Sequence, residues 1–264
     1  MKEYVRKIYS STEEQHKWLR SKGFEYYYDA STGLLTIPTD RQKIARYDIP
    51  ELVESYGYKG GTARMILAAT LDLPTHRSRD FDLVCMSKNH DYVQSQKLHQ
   101  ELNPEDFYSD HTVEHYRSDY FTTRDFSLNE LFVHNEQIVC TPSCLLANHY
   151  GLVVPSEHIA RQHKPEDPET LKPHLFCKAL RFLALYQSLD YDQAQLVLPS
   201  NFEIPVLDSF HIALHLDRAL AVDSCVAEEY IRQLICCKAV SPVLSDPQVL
   251  QEYLSWDTDY RFGR

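Results

Sequence analysis

The sequence contains no apolar run near the roughly 20 residues that a transmembrane helix needs. Its first segment, MKEYVRKIYSSTEEQHKW, also lacks the apolar stretch of a secretory signal. The seven cysteines are odd in number and lie mostly inside apolar segments such as FDLVCM and IRQLICC. That pattern indicates reduced, buried thiols and not a disulfide framework. These absences together predict a cytoplasmic protein with no membrane partner.

Basic residues are in the minority, and the formal net charge at pH 7 is −11. A protein that binds nucleic acid along its whole surface is usually basic, so any RNA or DNA contact is expected to be confined to one patch. P-loop, dinucleotide-binding and GxSxG motifs are also missing. The rest of the composition, 43% hydrophobic and 25% charged over 264 residues, is that of an ordinary globular protein.

Internal repeats and low-complexity segments are absent too, and the chain divides instead by its secondary-structure pattern. Strands and helices mix up to about residue 142, with predicted strands at Leu34–Pro38, Asp125–Val133 and Gln137–Cys140. Helical patterns follow at 175–189, 207–222, 227–237 and 247–256. The sequence therefore predicts an α+β fold, with a mixed sheet and flanking helices in residues 1–142. An all-helical C-terminal domain is expected in residues 143–264.

Glycine is scarce, with only seven residues in the chain, yet Gly57, Gly60 and Gly61 fall within five positions. The last two precede an amphipathic helix that is predicted over Thr62–Leu71. The exposed N–H groups at such a helix start would suit a phosphate. The other interpretation is an ordinary tight turn into a helix, which the glycine pair favours when it is taken alone.

Two aspartates follow the glycine pair by about 20 residues, in the segment RSRDFDLVCM. On a strand predicted over Phe81–Met86, Asp80 and Asp82 would point to one face. Neighbouring carboxylates repel each other unless a cation or a shared proton stabilises them, and magnesium prefers such oxygen ligands. Basic residues lie nearby in sequence at Lys59, Arg64, Arg77 and Arg79. This mixture predicts a site for a magnesium-bound triphosphate, although a lone DxD also fits solvated residues at a strand edge.

A third acid is a candidate on the predicted strand Asp125–Val133. Alternation along that strand would place Asp125, Ser127 and Asn129 on one polar face. Asp125 could then serve as a third metal ligand or bind the ribose of a nucleotide. Glu130 is the competing acid, but it alternates with the apolar face. The simpler hypothesis is that Asp125 merely starts a half-exposed strand.

The combination GGTARMIL…RDFDLV resembles the signature of the polymerase beta-like nucleotidyltransferases. In that superfamily a GG or GS turn opens a helix, and a strand with two metal-binding acids follows. The start KGGTA and the segment RSRDFDLV are similar to AbiEii-type toxins and their nucleotidyltransferase relatives. The segment TRDFSLNELFV resembles the RRDFTINAL motif of tRNA CCA-adding enzymes and bacterial poly(A) polymerases, and KALRFLALYQSLDYD their RAVRFAAQLGF helix. The resemblance spans Lys59–Asp192, roughly half of the chain.

The sequence departs from the CCA-adding pattern at three places. Thr123 replaces the first arginine of RRD, and Thr141 stands where an IxDP-like segment has its aspartate. The EDxxR motif that reads the incoming base in that family is not recognisable. The resemblance therefore implies the transfer chemistry of the family but not its CCA specificity.

The resemblance implies a nucleotidyltransferase-like sheet and an enzyme that moves a nucleoside monophosphate from an NTP to an acceptor hydroxyl, with release of pyrophosphate. The acceptor would be an RNA or tRNA 3′ end, a protein hydroxyl or a small molecule. Mg²⁺ or Mn²⁺ would be held by Asp80 and Asp82, with Asp125 as a third catalytic residue. The expected substrate contacts are Lys59, Gly60, Gly61, Thr62, Arg64, Arg77, Arg79, Arg124 and Asn129. Two rival hypotheses stay open: a catalytically inactive module that binds nucleotide or RNA, and a toxin–antitoxin or defence component.

Overall fold

The computed structural model describes residues 3–52, 54–78, 80–87, 92–104, 113–156, 171–198 and 203–262. The chain forms two compact units, Met1–His149 and Tyr150–Arg264. The first unit holds a mixed sheet with flanking helices and the second is mainly helical, which confirms the predicted α+β class. Within the described ranges, the helices are all too short or too polar to cross a membrane.

Helices and strands alternate through the first unit. Its helices are α1 Glu3–Lys7, α2 Thr12–Ser21, α3 Arg41–Ile44, α4 Gly60–Thr70, α5 Tyr92–Leu102 and α6 Pro142–Tyr150, the last crossing the unit boundary by one residue. Its strands are β1 Tyr27–Asp29, β2 Leu34–Pro38, β3 Tyr56–Tyr58, β4 Leu83–Cys85, β5 Glu114–His115, β6 Leu131–His134 and β7 Gln137–Cys140. Both β2 and β7 have the bounds that the sequence predicts.

The seven strands form one mixed sheet in the order β1-β2-β7-β6-β3-β4-β5. Each neighbouring pair is antiparallel except β4 and β5, which run parallel. Tyr58 of β3 lies opposite Leu83 of β4, and Glu114 of β5 lies opposite Val84. The strand that follows the two aspartates is therefore flanked by β3 on one side and by β5 on the other.

An apolar cluster covers one face of this part of the sheet. Val84 and Phe132 from the strands pack with Tyr120 and Phe121, and all four are buried. The aromatic rings of Tyr120 and Phe132 meet edge to face, with centroids 5.6 Å apart. Val84, in the middle of β4, therefore faces this cluster.

The second unit is built mainly from four helices within its described residues. They are α7 Pro173–Gln187, α8 Ser209–Leu220, α9 Ser224–Cys236 and α10 Pro247–Phe262. Asp208 and Asp223 cap the starts of α8 and α9, accepting from the backbone N–H of His211 at 2.9 Å and of Cys225 at 2.8 Å. Two short parallel strands, β8 Leu152–Val153 and β9 Gln195–Leu196, accompany the helices.

The predicted strand Asp125–Val133 is wrong over its first half. Ser127–Asn129 form a single 3-10 turn, and β6 begins only at Leu131. The Asp125 carboxylate accepts from the backbone N–H of Phe126 at 2.9 Å and from Asn129 Nδ2 at 2.7 Å. Such local hydrogen bonds from a side chain compete with a strand ladder. Ser127 is consequently buried, and the alternation that placed it with Asp125 on a polar face does not exist.

The cysteines are all free, but the prediction that they are buried holds only in part. Cys85, Cys140, Cys144 and Cys177 are buried, whereas Cys225 and Cys236 are exposed. The last two lie on α9, and they fall outside its buried stripe, which consists of Val226, Ala227, Tyr230, Ile231 and Leu234. The apolar residues next to these two cysteines in sequence lie on the buried side of the helix, and the cysteines lie on the exposed side.

Candidate functional site

The start of α4 follows directly on the end of β3, with Lys59 as the only residue between them. Lys59 is the N-cap residue, and its own side chain makes no capping hydrogen bond. Its backbone N–H donates to the Asp82 carbonyl at 2.9 Å, one position beyond the last β3–β4 pair, Tyr58 and Leu83. The first N–H groups of a helix lack partners within it and favour an anion. Asp82 thus borders a position suited to a phosphate.

Asp82 lies against Gly60, the first residue of α4. Gly60 has a φ of +59°, which L-residues rarely adopt. The space that a Cβ would occupy at this position is taken by Asp82 Oδ2, with Asp82 Cγ 3.2 Å from it. Backbone conformation and close approach therefore both require glycine here, and the carboxylate lies on the first turn of the helix.

Asp80 is attached to the same turn through its backbone. Its carbonyl oxygen accepts from Thr62 Oγ1 and from Ser78 Oγ, each at 2.8 Å. Thr62 is fully buried, and Ser78 Oγ lies 2.7 Å from the place of a Cβ on Gly61. The two aspartates therefore precede β4 and do not belong to it. Asp82 contacts the first turn of α4 through its carboxylate, and Asp80 accepts a hydrogen bond from that turn at its backbone carbonyl.

Glu114 is an acid of this region that the sequence prediction missed. It faces the same side of the sheet as Val84, its partner in the β4–β5 register. Its carboxylate pairs with Lys59 Nζ at 2.9 Å and with both terminal nitrogens of Arg124, Nη1 at 2.9 Å. Burial works to raise the pKa of Glu114, but the hydrogen bond from Arg124 and the charge of Lys59 outweigh it and lower that pKa. A two-residue strand is too short to show any alternation in the sequence.

Arg124 is fixed by more than this ion pair. Its Nε donates to the Tyr120 carbonyl at 3.0 Å, and its guanidinium lies 4.3 Å from the centre of the Tyr120 ring. The Tyr120 hydroxyl in turn donates to the Leu131 carbonyl at 3.1 Å. The guanidinium therefore has a defined orientation on the face that carries Glu114, and an arginine fork of this kind suits carboxylates and phosphates alike.

Arg64, Asn129 and Asp125 form a chain of hydrogen bonds on the other side of the helix start. Arg64 Nη1 donates to Asn129 Oδ1, and Asn129 Nδ2 donates to Asp125 Oδ1 at 2.7 Å. Arg64 Nη2 lies 3.9 Å from the place of a Cβ on Gly61. Asp125 thus orients Asn129, which orients an arginine beside the glycine pair.

Glu130, the competing acid, has a structural contact. It is 9% exposed, and its Oε2 accepts from Thr141 Oγ1 at 2.6 Å. Thr141 Oγ1 also accepts from the backbone N–H of Cys144 at 3.0 Å, in the first turn of α6. Thr141 therefore connects Glu130 to the start of a helix.

The two remaining predicted arginines are not grouped with these residues. Arg77 is 64% exposed and lies 3.8 Å from Asp48. Arg79 lies outside the described residues. The residues that the structure brings to the start of α4 are Lys59, Gly60, Gly61, Thr62, Arg64, Asp80, Asp82, Glu114, Arg124, Asp125 and Asn129.

Comparison with known proteins gives only distant similarities. No family model and no curated protein matches the chain. Among solved structures it is similar to a CCA-adding enzyme in complex with ATP, at 12% identity and a TM-score of 0.34, over 72% of this chain and 44% of the other. It is also similar to the Thermotoga maritima CCA-adding enzyme complexed with tRNA, at 13% identity and a TM-score of 0.36, over 72% and 50%. The chain spans about half the length of these structures.

The acids of the site fit the donor chemistry of magnesium. Mg²⁺ is usually bound by one or two carboxylates, with waters and substrate phosphates as its other ligands. Asp82 supplies a carboxylate at the helix start, Asp80 is attached to the same turn through its backbone carbonyl, and Glu114 is a further acid on the neighbouring strand β5. Over the described part of the chain, no three His, Cys, Asp or Glu side chains are arranged to hold a metal by themselves.

Proposed function

We propose that this chain is a nucleotidyltransferase, which transfers a nucleoside monophosphate from an NTP to an acceptor hydroxyl. The observation that carries the proposal is the contact between the Asp82 carboxylate and Gly60 at the start of α4. The backbone N–H groups of a helix start favour a phosphate, and Lys59 does not cap this one with its side chain. Asp82, which we propose as a metal ligand, lies directly beside that start. An anion site and a carboxylate ligand in contact are what a metal–triphosphate complex requires.

Three cations surround this position and would bind the triphosphate. Lys59 and Arg124 converge on the Glu114 carboxylate, and Arg64 extends towards Gly61 from the Asn129 amide. A carboxylate and a phosphate oxygen offer the same kind of acceptor to a guanidinium. Substrate phosphates would therefore compete with Glu114 for Lys59 and Arg124.

Asp80 and Asp82 would hold Mg²⁺ or Mn²⁺, which supplies activation of the acceptor hydroxyl and stabilisation of the leaving pyrophosphate. Thr62 and Ser78 keep the backbone of Asp80 in place. In the reaction the acceptor oxygen bonds to the α-phosphorus, the bond from that phosphorus to pyrophosphate breaks, and the hydroxyl proton passes to solvent. The TRDFSLNELFV segment makes a tRNA 3′ end the first acceptor to test.

The experiment is incubation with each labelled NTP and total cellular RNA, with Mg²⁺ and with Mn²⁺. Asp80→Ala and Asp82→Ala should each abolish labelling and keep the circular dichroism of the folded protein. Glu13→Ala, which removes an exposed i,i+4 ion pair with Lys17, is the matched control and should label normally. Full activity in both aspartate variants would refute the assignment.

A binding module without catalysis is the second candidate. It is favoured by the engagement of Asp125 Oδ1 with Asn129 and with the Phe126 backbone. Glu114 is likewise paired with Lys59 and Arg124, so Asp80 and Asp82 remain as the candidate metal-binding acids. Calorimetry with each NTP, with and without Mg²⁺, separates the two functions. Magnesium-dependent binding with no pyrophosphate release over a broad panel of acceptors would select the module.

A further inference from the structure

Asn103, the residue that follows α5, binds both backbone groups of Phe81. The Phe81 N–H donates to Asn103 Oδ1 at 2.7 Å, and Asn103 Nδ2 donates to the Phe81 carbonyl at 3.2 Å. Because an N–H must meet the amide oxygen, this pair of bonds fixes which way the amide is turned. Nδ2 also donates to the His99 carbonyl at 3.0 Å, which ties the amide to the last turn of α5.

Phe81 is the residue between the two aspartates, so its two peptide groups determine how their side chains are disposed. The first peptide group donates its N–H to Asn103 and accepts at its carbonyl from Thr62 and Ser78. The second accepts from Asn103 at the Phe81 carbonyl. Asn103 is thus the residue that contacts both peptide groups.

These contacts occur where the sheet gives way to a bend. The β3–β4 register ends at the pair Tyr58 and Leu83, and the β4–β5 register begins at Val84 and Glu114. Both aspartates precede β4. A side-chain amide presents one donor and one acceptor as a neighbouring strand does, so Asn103 continues the ladder across Phe81.

We propose that Asn103 is a positioning residue, which sets the Asp80 and Asp82 carboxylates at the spacing that a divalent cation requires. The inference rests on the proposed function, because it assumes that these aspartates bind the metal. Asn103 acts through the Phe81 backbone and touches neither substrate nor metal. Removing a residue that holds a metal ligand in place typically lowers the metal affinity by about 10-fold to 100-fold.

The test compares substitutions of two side-chain amides by apolar residues of similar shape, one at the half-buried Asn103 and one at the buried Gln15. Asn103→Leu removes the bonds to Phe81. Gln15→Met removes a clamp that shares no partner with the site. Gln15 Nε2 donates to the carbonyls of Ile8 at 2.9 Å and Ser10 at 3.1 Å, and Gln15 Oε1 accepts from Ser143 Oγ at 2.9 Å. Mn²⁺ is titrated against each protein by electron paramagnetic resonance in the presence of an NTP analogue whose α–β bridge cannot be cleaved. The Mg²⁺ concentration for half-maximal labelling, kcat and thermal unfolding are measured alongside.

Asn103→Leu should bind Mn²⁺ about 10-fold more weakly than the wild type and need correspondingly more Mg²⁺. Its kcat at saturating metal should fall by less than that factor. Gln15→Met should lower the melting temperature to a similar extent and leave the metal dependence unchanged. If Asn103→Leu does not fold, Asn103→Asp, which keeps the acceptor for the Phe81 N–H and loses the donor, carries the test with a smaller expected loss.

A folded Asn103 variant with the metal dependence of the wild type would overturn the inference and leave the proposed function intact. The opposite failure is recognisable separately. If Asp82→Ala binds Mn²⁺ as the wild type does, and the wild type labels no acceptor, then both the proposed function and this inference are refuted.

Discussion

Gly60 and Asp82 are in direct contact across the junction of β3, β4 and α4. Asp82 Oδ2 fills the place where any other residue at position 60 would carry its Cβ, and Gly60 has a φ that other residues resist. Neither residue can therefore be exchanged without disturbing the other. This contact makes the start of α4 and the acid segment a single structural unit.

Gly60→Ala should abolish NTP-dependent labelling and lower the free energy of unfolding by about 1–3 kcal/mol. Roughly 1–2 kcal/mol of this comes from a side chain at positive φ, and the rest from displacement of Asp82. Labelling assays and urea denaturation measure the two effects. Retained activity would mean that the carboxylate does not need to lie on the helix start.

Gly23→Ala is the matched control for this substitution. Gly23 also has a positive φ, +87°, but an added Cβ there meets nothing within 4 Å. It should cost about 1 kcal/mol of stability and no activity. Equal loss of activity in both variants would assign the effect to general destabilisation and not to the contact with Asp82.

Glu114→Gln should lower the free energy of unfolding by about 1–3 kcal/mol at neutral pH. The substitution leaves Lys59 and Arg124, whose side chains are 20% and 17% exposed, facing a neutral amide. Glu136→Gln breaks the exposed pair with Arg41 and should stay within about 0.5 kcal/mol. Urea denaturation of both variants measures the difference.

The stability contributed by Glu114 should depend on pH in a defined direction. Its pKa in the folded protein is lowered from 4.5, so the stabilisation is complete above that value and is lost as pH falls through the folded-state pKa. The gap between wild type and Glu114→Gln should consequently shrink below pH 4.5 and not above it. A gap that is constant across this range would contradict the ionised pairing.

Asp125→Asn should raise the KM for NTP about 10-fold and change kcat little. The carboxylate supports Asn129, which in turn supports Arg64, so its loss weakens ground-state and transition-state binding equally. Steady-state kinetics over a range of NTP concentrations separate the two parameters. Complete inactivity at saturating NTP would instead show that Asp125 is the third metal ligand that the sequence pattern suggests.

His215→Leu should reduce the loss in the free energy of unfolding that the wild type shows as the pH falls below neutral. Burial first, and then the charges of Arg181, Arg218 and Lys178, lower the pKa of His215 from 6.5 to about 2. The unfolded state therefore gains a proton below pH 6.5 that the folded state does not bind. Stability falls by up to about 1.4 kcal/mol per pH unit from this residue. Denaturation of both proteins from pH 7.5 to about pH 5 checks the slope, and parallel profiles would exclude the effect.

The sequence predicted well those elements that short local patterns specify. Two predicted strands have the same bounds in the structure, Leu34–Pro38 and Gln137–Cys140. Each is marked in the sequence by alternation of apolar and polar residues or by turn residues at its ends. The glycine turn, the helix α4 and the acid segment follow each other within 25 residues, so local pattern also indicates that they lie together. Their roles in catalysis stay predictions.

The sequence could not predict contacts that depend on pairing between distant segments. Glu114 reaches Lys59 only because β5 joins β4 in parallel, 55 residues away from that lysine. Alternation in the sequence predicts Asp125 on a strand face, but its side chain accepts a hydrogen bond from the local backbone, and a 3-10 turn follows. A sequence pattern reports the spacing of hydrophobic residues, whereas the Glu114–Lys59 ion pair and the turn after Asp125 depend on individual polar contacts.

The direct passage from β3 through Lys59 into α4 has a consequence for insertions and deletions. One residue added or removed there would rotate the helix by about 100° and shift it by about 1.5 Å along its axis relative to β3. Because Lys59 is the only residue between β3 and α4, no loop is present at the junction to accommodate the change. Length variation at this point should therefore be more damaging than any single substitution, whereas the exposed turn between β1 and β2 should accept it.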